Sequence, residues 1–212
     1  MIALVVDIDG VILRDNQPIP GAAEFAARLV TGTMPFVFLT NFPSQTPADL
    51  RNRFLEAGID VPVERFYTSA MATAEFLRDQ PPGERKAFVI GEGALVHALY
   101  DAGFILSEAD ADFVVLGETQ SYHIDMIQKA AQLIREGARF IATNPDVAGP
   151  LGRPSCGALA ALSASAAVVA GLGAKPQVPG PAADDRDVAP RPPSHRRADR
   201  GAANTPRKVW MR

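Results

Sequence analysis

The chain has 212 residues, of which 47% are hydrophobic and 21% charged, a composition typical of a soluble globular protein. This length suits one large domain or two small ones, and the single cysteine excludes an internal disulfide framework and favours a reducing compartment. The apolar start is too short for a signal peptide, and no uninterrupted apolar stretch approaches the ~18 residues of a membrane span. We therefore expect a cytoplasmic protein that has no membrane partner.

The N-terminal apolar run ends in two aspartates. Residues 2–6 (IALVV) predict a strand buried on both faces, and residues 7–10 (DIDG) follow at once. Asp7 and Asp9 then point to the same side at the carboxyl end of the strand, where open α/β sheets bind ligands. Two carboxylates this close repel each other, and Mg²⁺ would relieve that repulsion. The pattern favours a metal-assisted site with a carboxylate nucleophile, although these four residues alone suit an ordinary turn equally well. A calcium loop is excluded because its twelfth position, which needs glutamate, is Pro18.

Helix and strand signals alternate along the first 82 residues, as in an α/β fold. Proline directly after Thr46 is typical of a first helical position, because an N–H is not needed there. The predicted elements of this half are a turn over 18–21, helices over 22–30, 47–57 and 67–77, and a buried strand over 36–39 that ends in Thr40-Asn41.

A Pro-Pro-Gly break at residues 81–83 separates this half from a second series of the same kind. We expect the first half of an α/β core over residues 1–82 and a second α/β lobe over residues 83–174. No internal repeat and no nucleic-acid-binding motif is present. The predicted elements of the second lobe are strands over 87–91, 113–117 and 140–143 and helices over 94–102 and 124–136.

Thr40 and Asn41 are interpreted together with the two aspartates. In a parallel sheet, neighbouring strands present their carboxyl ends together, so the Thr40 hydroxyl and the Asn41 amide are placed to reach a phosphate held over Asp7. Taken alone, Thr40-Asn41 is better explained as a turn that ends a strand. Its pairing with Asp7 and Asp9 is what favours a phosphate site.

An ordered set of motifs resembles the haloacid dehalogenase superfamily, in the NagD-like subgroup with a large inserted cap. That subgroup includes p-nitrophenyl phosphatases and phosphoglycolate or sugar-phosphate phosphatases. The resemblance covers roughly residues 1–162. The motifs that carry it are residues 7–12, 19–22, 39–41, 67–70, 89–91 and 139–146.

The resemblance implies an α/β protein with a three-layer Rossmann-like core and an inserted α/β cap, acting as a phosphate monoester hydrolase. Asp7 would be the nucleophile that forms an aspartyl-phosphate, and Asp9 would protonate the leaving group and then activate water. Asp7 and the backbone carbonyl of Asp9 would hold Mg²⁺. Thr40 and Asn41 would bind the transferred phosphoryl group. Asn144 and Asp146, on the cap, would select a small phosphorylated metabolite, and any homo-oligomer would form through the cap.

Two elements of the family pattern are not recognisable in these 212 residues. One is a lysine in a Gly-Lys-Pro element, where Gly180 and Pro181 now stand; the other is a strand that ends in Gly-Asp. A smaller departure is Phe42, which replaces a second asparagine after Thr40-Asn41. The implied core is therefore incomplete, and we expect an unpaired strand edge, poor stability and weak or absent activity.

Residues 175–212 differ in composition from the rest, with 9 Lys and Arg against 4 Asp and Glu and with no Leu, Ile, Phe or Tyr. One hypothesis is translation in a shifted reading frame, and its rival is a basic, disordered tail that binds acidic partners. Besides an impaired phosphatase, the sequence leaves open a non-catalytic protein that binds a phosphorylated ligand or a partner, and an inert gene fragment.

Overall fold

The structure, a computed structural model, describes residues 3–80, 85–119 and 121–143. Asn144, Asp146 and the whole of 175–212 lie outside these residues. The strands are β1 (Leu4–Asp7), β2 (Leu13–Arg14), β3 (Gln17–Pro18), β4 (Phe36–Thr40), β5 (Phe66–Thr68), β6 (Lys86–Ile90), β7 (Ile105–Leu106), β8 (Phe113–Leu116) and β9 (Arg139–Ala142). The helices are α1 (Ala22–Thr31), α2 (Pro47–Glu56), α3 (Ser69–Arg78), α4 (Gly93–Asp101) and α5 (Ile124–Arg135), with a short 3-10 helix at Val63–Arg65.

Strands β1, β4 and β5 form a parallel sheet in that order, so the ends of β1 and β4 lie side by side. Three phenylalanines form the aromatic centre of its core. The ring of Phe38 lies 5.3 Å from that of Phe54 and 5.9 Å from that of Phe66. Since Phe54 belongs to α2, this contact fixes the helix against the sheet.

The prediction that β1 is buried on both faces is wrong. Val6 and the following Ile8 are buried in the core, but Val5 is 63% exposed. Among the described residues β1 pairs with β4 alone, and the face that carries Val5 has no covering layer. The incomplete core stays a prediction, because residues 144–212 lie outside the described ranges.

Two short features replace predicted turn and helix residues. Strands β2 and β3 form a hairpin whose two central residues, Asp15 and Asn16, have φ of 49° and 64°, as in a type I′ turn. Pro18 is therefore a strand residue and not the start of a turn. Tyr67 and Thr68 belong to β5, where they pair with β4. Helix α3 begins after them, because the Thr68 hydroxyl caps it by accepting from the Met71 amide.

The second sheet is parallel, with strand order β7-β6-β8-β9. Helices α3 and α4 pack together on one face of it, and α5 covers the other. Parallel sheets packed against helices confirm the predicted α/β class. The boundary near Gly83 stays a prediction. Within the described ranges, no helix combines the length and the apolarity needed to cross a membrane.

Candidate functional site

The turn that follows β1 holds Asp9 at the edge of the first sheet. The amides of Ile12 and Leu13 both donate to the carbonyl of Ile8, at 2.9 and 3.0 Å, and all three side chains are buried. Gly10 makes the turn possible with φ 85°, and its amide donates to the Leu13 carbonyl at 2.7 Å. Asp9 stands between these buried residues with its side chain only 33% exposed.

Thr40, the last residue of β4, contacts Asp9 directly. Its Oγ1 donates to Asp9 Oδ2 at 3.2 Å and accepts from the Phe42 amide at 3.1 Å. A hydroxyl has a single hydrogen, so the bond from Phe42 leaves that hydrogen to Asp9. Thr40 is only 1% exposed. The structure therefore brings together the two strand ends that the sequence singled out, while the roles of these residues stay predictions.

Asp7 ends β1 beside Leu39 and is exposed. Partial desolvation raises the pKa of Asp7, although the Ile8 amide opposes this, and the nearby charge of Asp9 raises that pKa further. A cation beside Asp7 would stabilise the charged carboxylate and so offset both effects on its pKa. An exposed carboxylate is also free to be approached by a substrate.

Asn41 follows β4 directly and is exposed. Its carbonyl accepts from Ser69 Oγ at 2.8 Å, a bond that connects the end of β4 to the start of α3. This places Asn41 at the carboxyl edge of the first sheet, at the end that Thr40 also occupies. Asn144 and Asp146 lie outside the described residues, so the structure does not bring them to this site.

Sequence reasoning missed Arg53, which reaches Asp9 from α2. Its Nη2 lies 2.8 Å from Asp9 Oδ1, and its Nε donates to Asn16 Oδ1 at 2.7 Å. A longer bond of 3.5 Å joins Nη1 to Gln45 Oε1. The residue is 44 positions beyond Asp9 and lies on an amphipathic helix, where an arginine ordinarily faces solvent. No local pattern in the sequence marks it.

The donors at this edge are the kind that Mg²⁺ prefers. The Asp7 carboxylate and the Asp9 carbonyl would supply oxygen ligands, and the exposure of Asp7 leaves room for bound water. The described residues contain no group of three or more His, Cys, Asp or Glu that could enclose a metal ion. Mg²⁺ in proteins commonly uses one or two carboxylates and keeps several waters. The residues present therefore fit this ion.

Comparison with known proteins gives consistent matches. Residues 4–105 match the haloacid dehalogenase-like hydrolase family. The chain is 56% identical over 158 residues to ribonucleotide monophosphatase NagD of Escherichia coli strain K12, covering 74% of this chain and 62% of that protein. It is 45% identical over 178 residues to dihydroxyacetone phosphatase of Corynebacterium glutamicum strain R, covering 82% and 62%. The chain thus spans about three fifths of the length of these curated relatives.

Solved structures agree with the sequence matches. NagD from Escherichia coli K-12 superposes with a TM-score of 0.75 at 52% identity, covering 84% of this chain and 68% of that chain. A glycerol phosphate phosphatase from Mycobacterium tuberculosis, solved in complex with magnesium, superposes with a TM-score of 0.74 at 27% identity, covering 84% and 54%. The chain belongs to the haloacid dehalogenase-like hydrolases, in the subgroup that contains NagD.

Proposed function

We propose that the chain is a phosphate monoester hydrolase that forms an aspartyl-phosphate on Asp7. The observation that carries this proposal is the contact of Thr40 with Asp9 at the edge of the sheet where β1 ends in Asp7. The carboxylates of Asp7 and Asp9 and the hydroxyl of Thr40 thus lie at one end of the sheet. These are the groups that phosphoryl transfer needs for attack, proton transfer and charge stabilisation.

The reaction has two halves. An oxygen of the Asp7 carboxylate attacks phosphorus in line, the ester P–O bond breaks, and the leaving oxygen takes a proton from Asp9. Water then attacks the phosphorus of the aspartyl-phosphate, a proton passes from that water to Asp9, and inorganic phosphate leaves. Asp9 enters the cycle in its protonated form, having taken that proton from solvent, and is protonated again at the end, while Asp7 returns to its carboxylate, so all atoms and protons balance.

Thr40 donates a hydrogen bond to the transferred phosphoryl group. Its hydroxyl hydrogen points to Asp9 Oδ2 in the absence of substrate, and the bond from the Phe42 amide holds the hydroxyl oxygen in place. A phosphoryl oxygen that arrives over Asp7 offers this hydrogen a more strongly charged acceptor. Asn41, at the same edge, is the second polar group that we assign to the phosphoryl group.

Asp7 and the backbone carbonyl of Asp9 would hold Mg²⁺, in keeping with the magnesium complex of the mycobacterial relative. Bound there, the ion supplies neutralisation of phosphoryl charge. The roles of Asp7 as nucleophile and of Asp9 in proton transfer belong to the protein's own side chains.

The substrate class follows from the relatives by analogy. The relatives are named a ribonucleotide monophosphatase, a dihydroxyacetone phosphatase, an acid sugar phosphatase and a glycerol phosphate phosphatase. These names point to small phosphorylated metabolites, and we propose a substrate of this kind for this chain. We assign its selection to Asn144 and Asp146.

We propose further that turnover by this chain is slow. Its 212 residues contain Gly180-Pro181 in place of a Gly-Lys pair. A lysine beside a phosphoryl group neutralises charge in the transition state, and its loss raises the barrier.

Hydrolysis of p-nitrophenyl phosphate with Mg²⁺ tests the proposal. We expect slow turnover by the wild type and none by Asp7→Asn, while Asp60→Asn, which changes an exposed carboxylate paired with Arg51, matches the wild type. Equal rates for the wild type and Asp7→Asn would contradict the assignment. In that event, stabilisation by inorganic phosphate against thermal unfolding would favour the non-catalytic binding protein.

A further inference from the structure

We propose that Arg53 is a positioning residue for Asp9. It holds Oδ1 so that Oδ2 is the oxygen that exchanges a proton with the substrate. The inference rests on the proposed function, because it assigns the proton transfer to Asp9. It goes beyond that function by naming the residue that orients this carboxylate and the oxygen that reacts.

The guanidinium of Arg53 is fixed by partners from three parts of the chain. Nη2 lies 2.8 Å from Asp9 Oδ1, after β1. Nε donates to Asn16 Oδ1 at 2.7 Å, in the β2–β3 turn, and Nη1 lies 3.5 Å from Gln45 Oε1, just before α2. Because the guanidinium is planar, bonds from both its Nε and Nη sides fix its orientation as well as its position.

Burial separates this pair from an ordinary surface ion pair. The Arg53 side chain is 14% exposed, and that of Asp9 33%. Arg51, two residues earlier on the same helix, is 43% exposed and lies 3.5 Å from Asp60, which is 78% exposed. Exposed pairs of the second kind contribute little to stability, whereas a largely buried arginine requires its partner. Arg51 is therefore the matched control for Arg53.

The two oxygens of Asp9 have different neighbours, and this sets which one reacts. Oδ1 faces a guanidinium, which has donors and no acceptor, so that oxygen is already occupied as an acceptor. Oδ2 faces the hydroxyl of Thr40, which can turn to a phosphoryl oxygen. When it does, Oδ2 is free to carry the proton, to give it to the leaving oxygen and to take one back from water.

Kinetics of Arg53→Gln and Arg53→Lys, beside Arg51→Gln, test the role. The nitrophenolate leaving group needs no proton, so in single turnovers with p-nitrophenyl phosphate Arg53→Gln should release it within about twofold of the wild-type rate. With glycerol phosphate, whose alkoxide needs a proton, kcat should fall by about tenfold or more with KM within about twofold. Arg53→Lys should recover part of that loss, and Arg51→Gln should match the wild type on both substrates.

Equal losses on the two substrates would overturn the proposal, as would equal behaviour of Arg53→Gln and Arg51→Gln. Absence of Asp7-dependent turnover in the wild type would contradict the proposed function. The contact between Arg53 and Asp9 would then be tested by a second measurement. That measurement is thermal unfolding of Asp9→Asn, Arg53→Gln and the double variant. We expect the double variant to lose less Tm than the sum of the two single losses, and additive losses would overturn the inference whatever the activity.

Discussion

Thr40 Oγ1 donates to Asp9 Oδ2 across 3.2 Å, although the two residues are 31 positions apart in the chain. The parallel pairing of β1 with β4 brings them together, since Asp7 lies beside Leu39 in the register of the two strands. Thr40 is almost fully buried, whereas Asp9 remains partly exposed. Thus the buried hydroxyl fixes one oxygen of a carboxylate that a ligand can still reach.

Thr40→Val should separate the chemical role of this hydroxyl from its structural role. Valine fills the same space but removes the donor to Asp9 and leaves the Phe42 amide without its acceptor, so we expect about 1–2 kcal/mol of lost stability. Turnover should fall about 10²-fold, as for loss of one donor to a transition state. Thr40→Ser should retain most activity, as should Thr31→Val, which changes an exposed hydroxyl at the end of α1. Steady-state rates and urea unfolding check this, and undiminished turnover by Thr40→Val would contradict it.

Gly117→Ala should destabilise the second sheet. A Cβ at Gly117 would lie 2.7 Å from Leu95 Cδ2, and Leu95 is fully buried, so its side chain has little room to move. We expect a loss of about 1–3 kcal/mol, which Leu95→Val should partly restore in the double variant. Gly93→Ala is the matched control, because a Cβ there meets no atom within 4 Å and alanine favours the first turn of α4. Denaturant unfolding measures all four proteins, and a Gly117→Ala protein as stable as Gly93→Ala would refute the predicted clash.

The capping box of α2 should make stability depend on pH. Thr46 Oγ1 accepts from the Asp49 amide, and the Thr46 amide and hydroxyl both donate to the Asp49 carboxylate. These bonds lower the pKa of Asp49 below its ordinary value of 3.8. Because the folded pKa is the lower one, the stabilisation is complete above pH 3.8 and is lost as the pH falls through the folded pKa.

Thr46→Ala tests that dependence. It should cost about 1 kcal/mol at neutral pH and progressively less below pH 3.8, where protonation of Asp49 weakens the same bonds in the wild type. Unfolding free energies of the two proteins between pH 7 and pH 3 supply the comparison. A difference between them that is independent of pH would show that the Asp49 carboxylate contributes nothing through this cap.

The elements that could be predicted are those whose burial repeats over several residues. The strand before Thr40 and the helix that begins after Thr46 are where the sequence placed them, because each has a regular pattern or a capping signal. The predicted full burial of that strand is wrong, since Leu39 is exposed. Strand β5 has three residues and β2 and β3 have two each, which is too short for any periodicity. The pairing of these strands depends on neighbours that are distant in the sequence.

The residues of the candidate site also fall into a group that the sequence predicts and one residue that it does not. Asp7, Asp9 and Thr40 stand at strand ends, and the topology of a parallel sheet is enough to bring such positions together. Arg53 reaches Asp9 from a helix. This contact depends on the rotation of α2 about its own axis, which is set by the packing of Phe54 in the core. Such a geometric consequence of packing has no signature in the local sequence.

Asn16 offers a last test, because backbone conformation and side-chain contact can be separated there. Its φ of 64° suits glycine better than alanine, and Asp-Gly is a preferred pair for a type I′ turn, so Asn16→Gly should keep a Tm close to that of the wild type. Asn16→Ala should lower Tm, because the left-handed backbone conformation destabilises the folded protein by about 1 kcal/mol or more when alanine adopts it.

Both Asn16 variants remove the acceptor that holds Arg53 Nε at 2.7 Å, so both should lower kcat on glycerol phosphate by the same factor. Activity would then follow the contact with Arg53 while stability follows the backbone of the turn. Thermal unfolding and steady-state kinetics on the same preparations provide the two readouts. Full activity of Asn16→Gly would show that Asp9 and Gln45 suffice to hold the guanidinium, because the turn itself is intact in that variant and only the acceptor is lost.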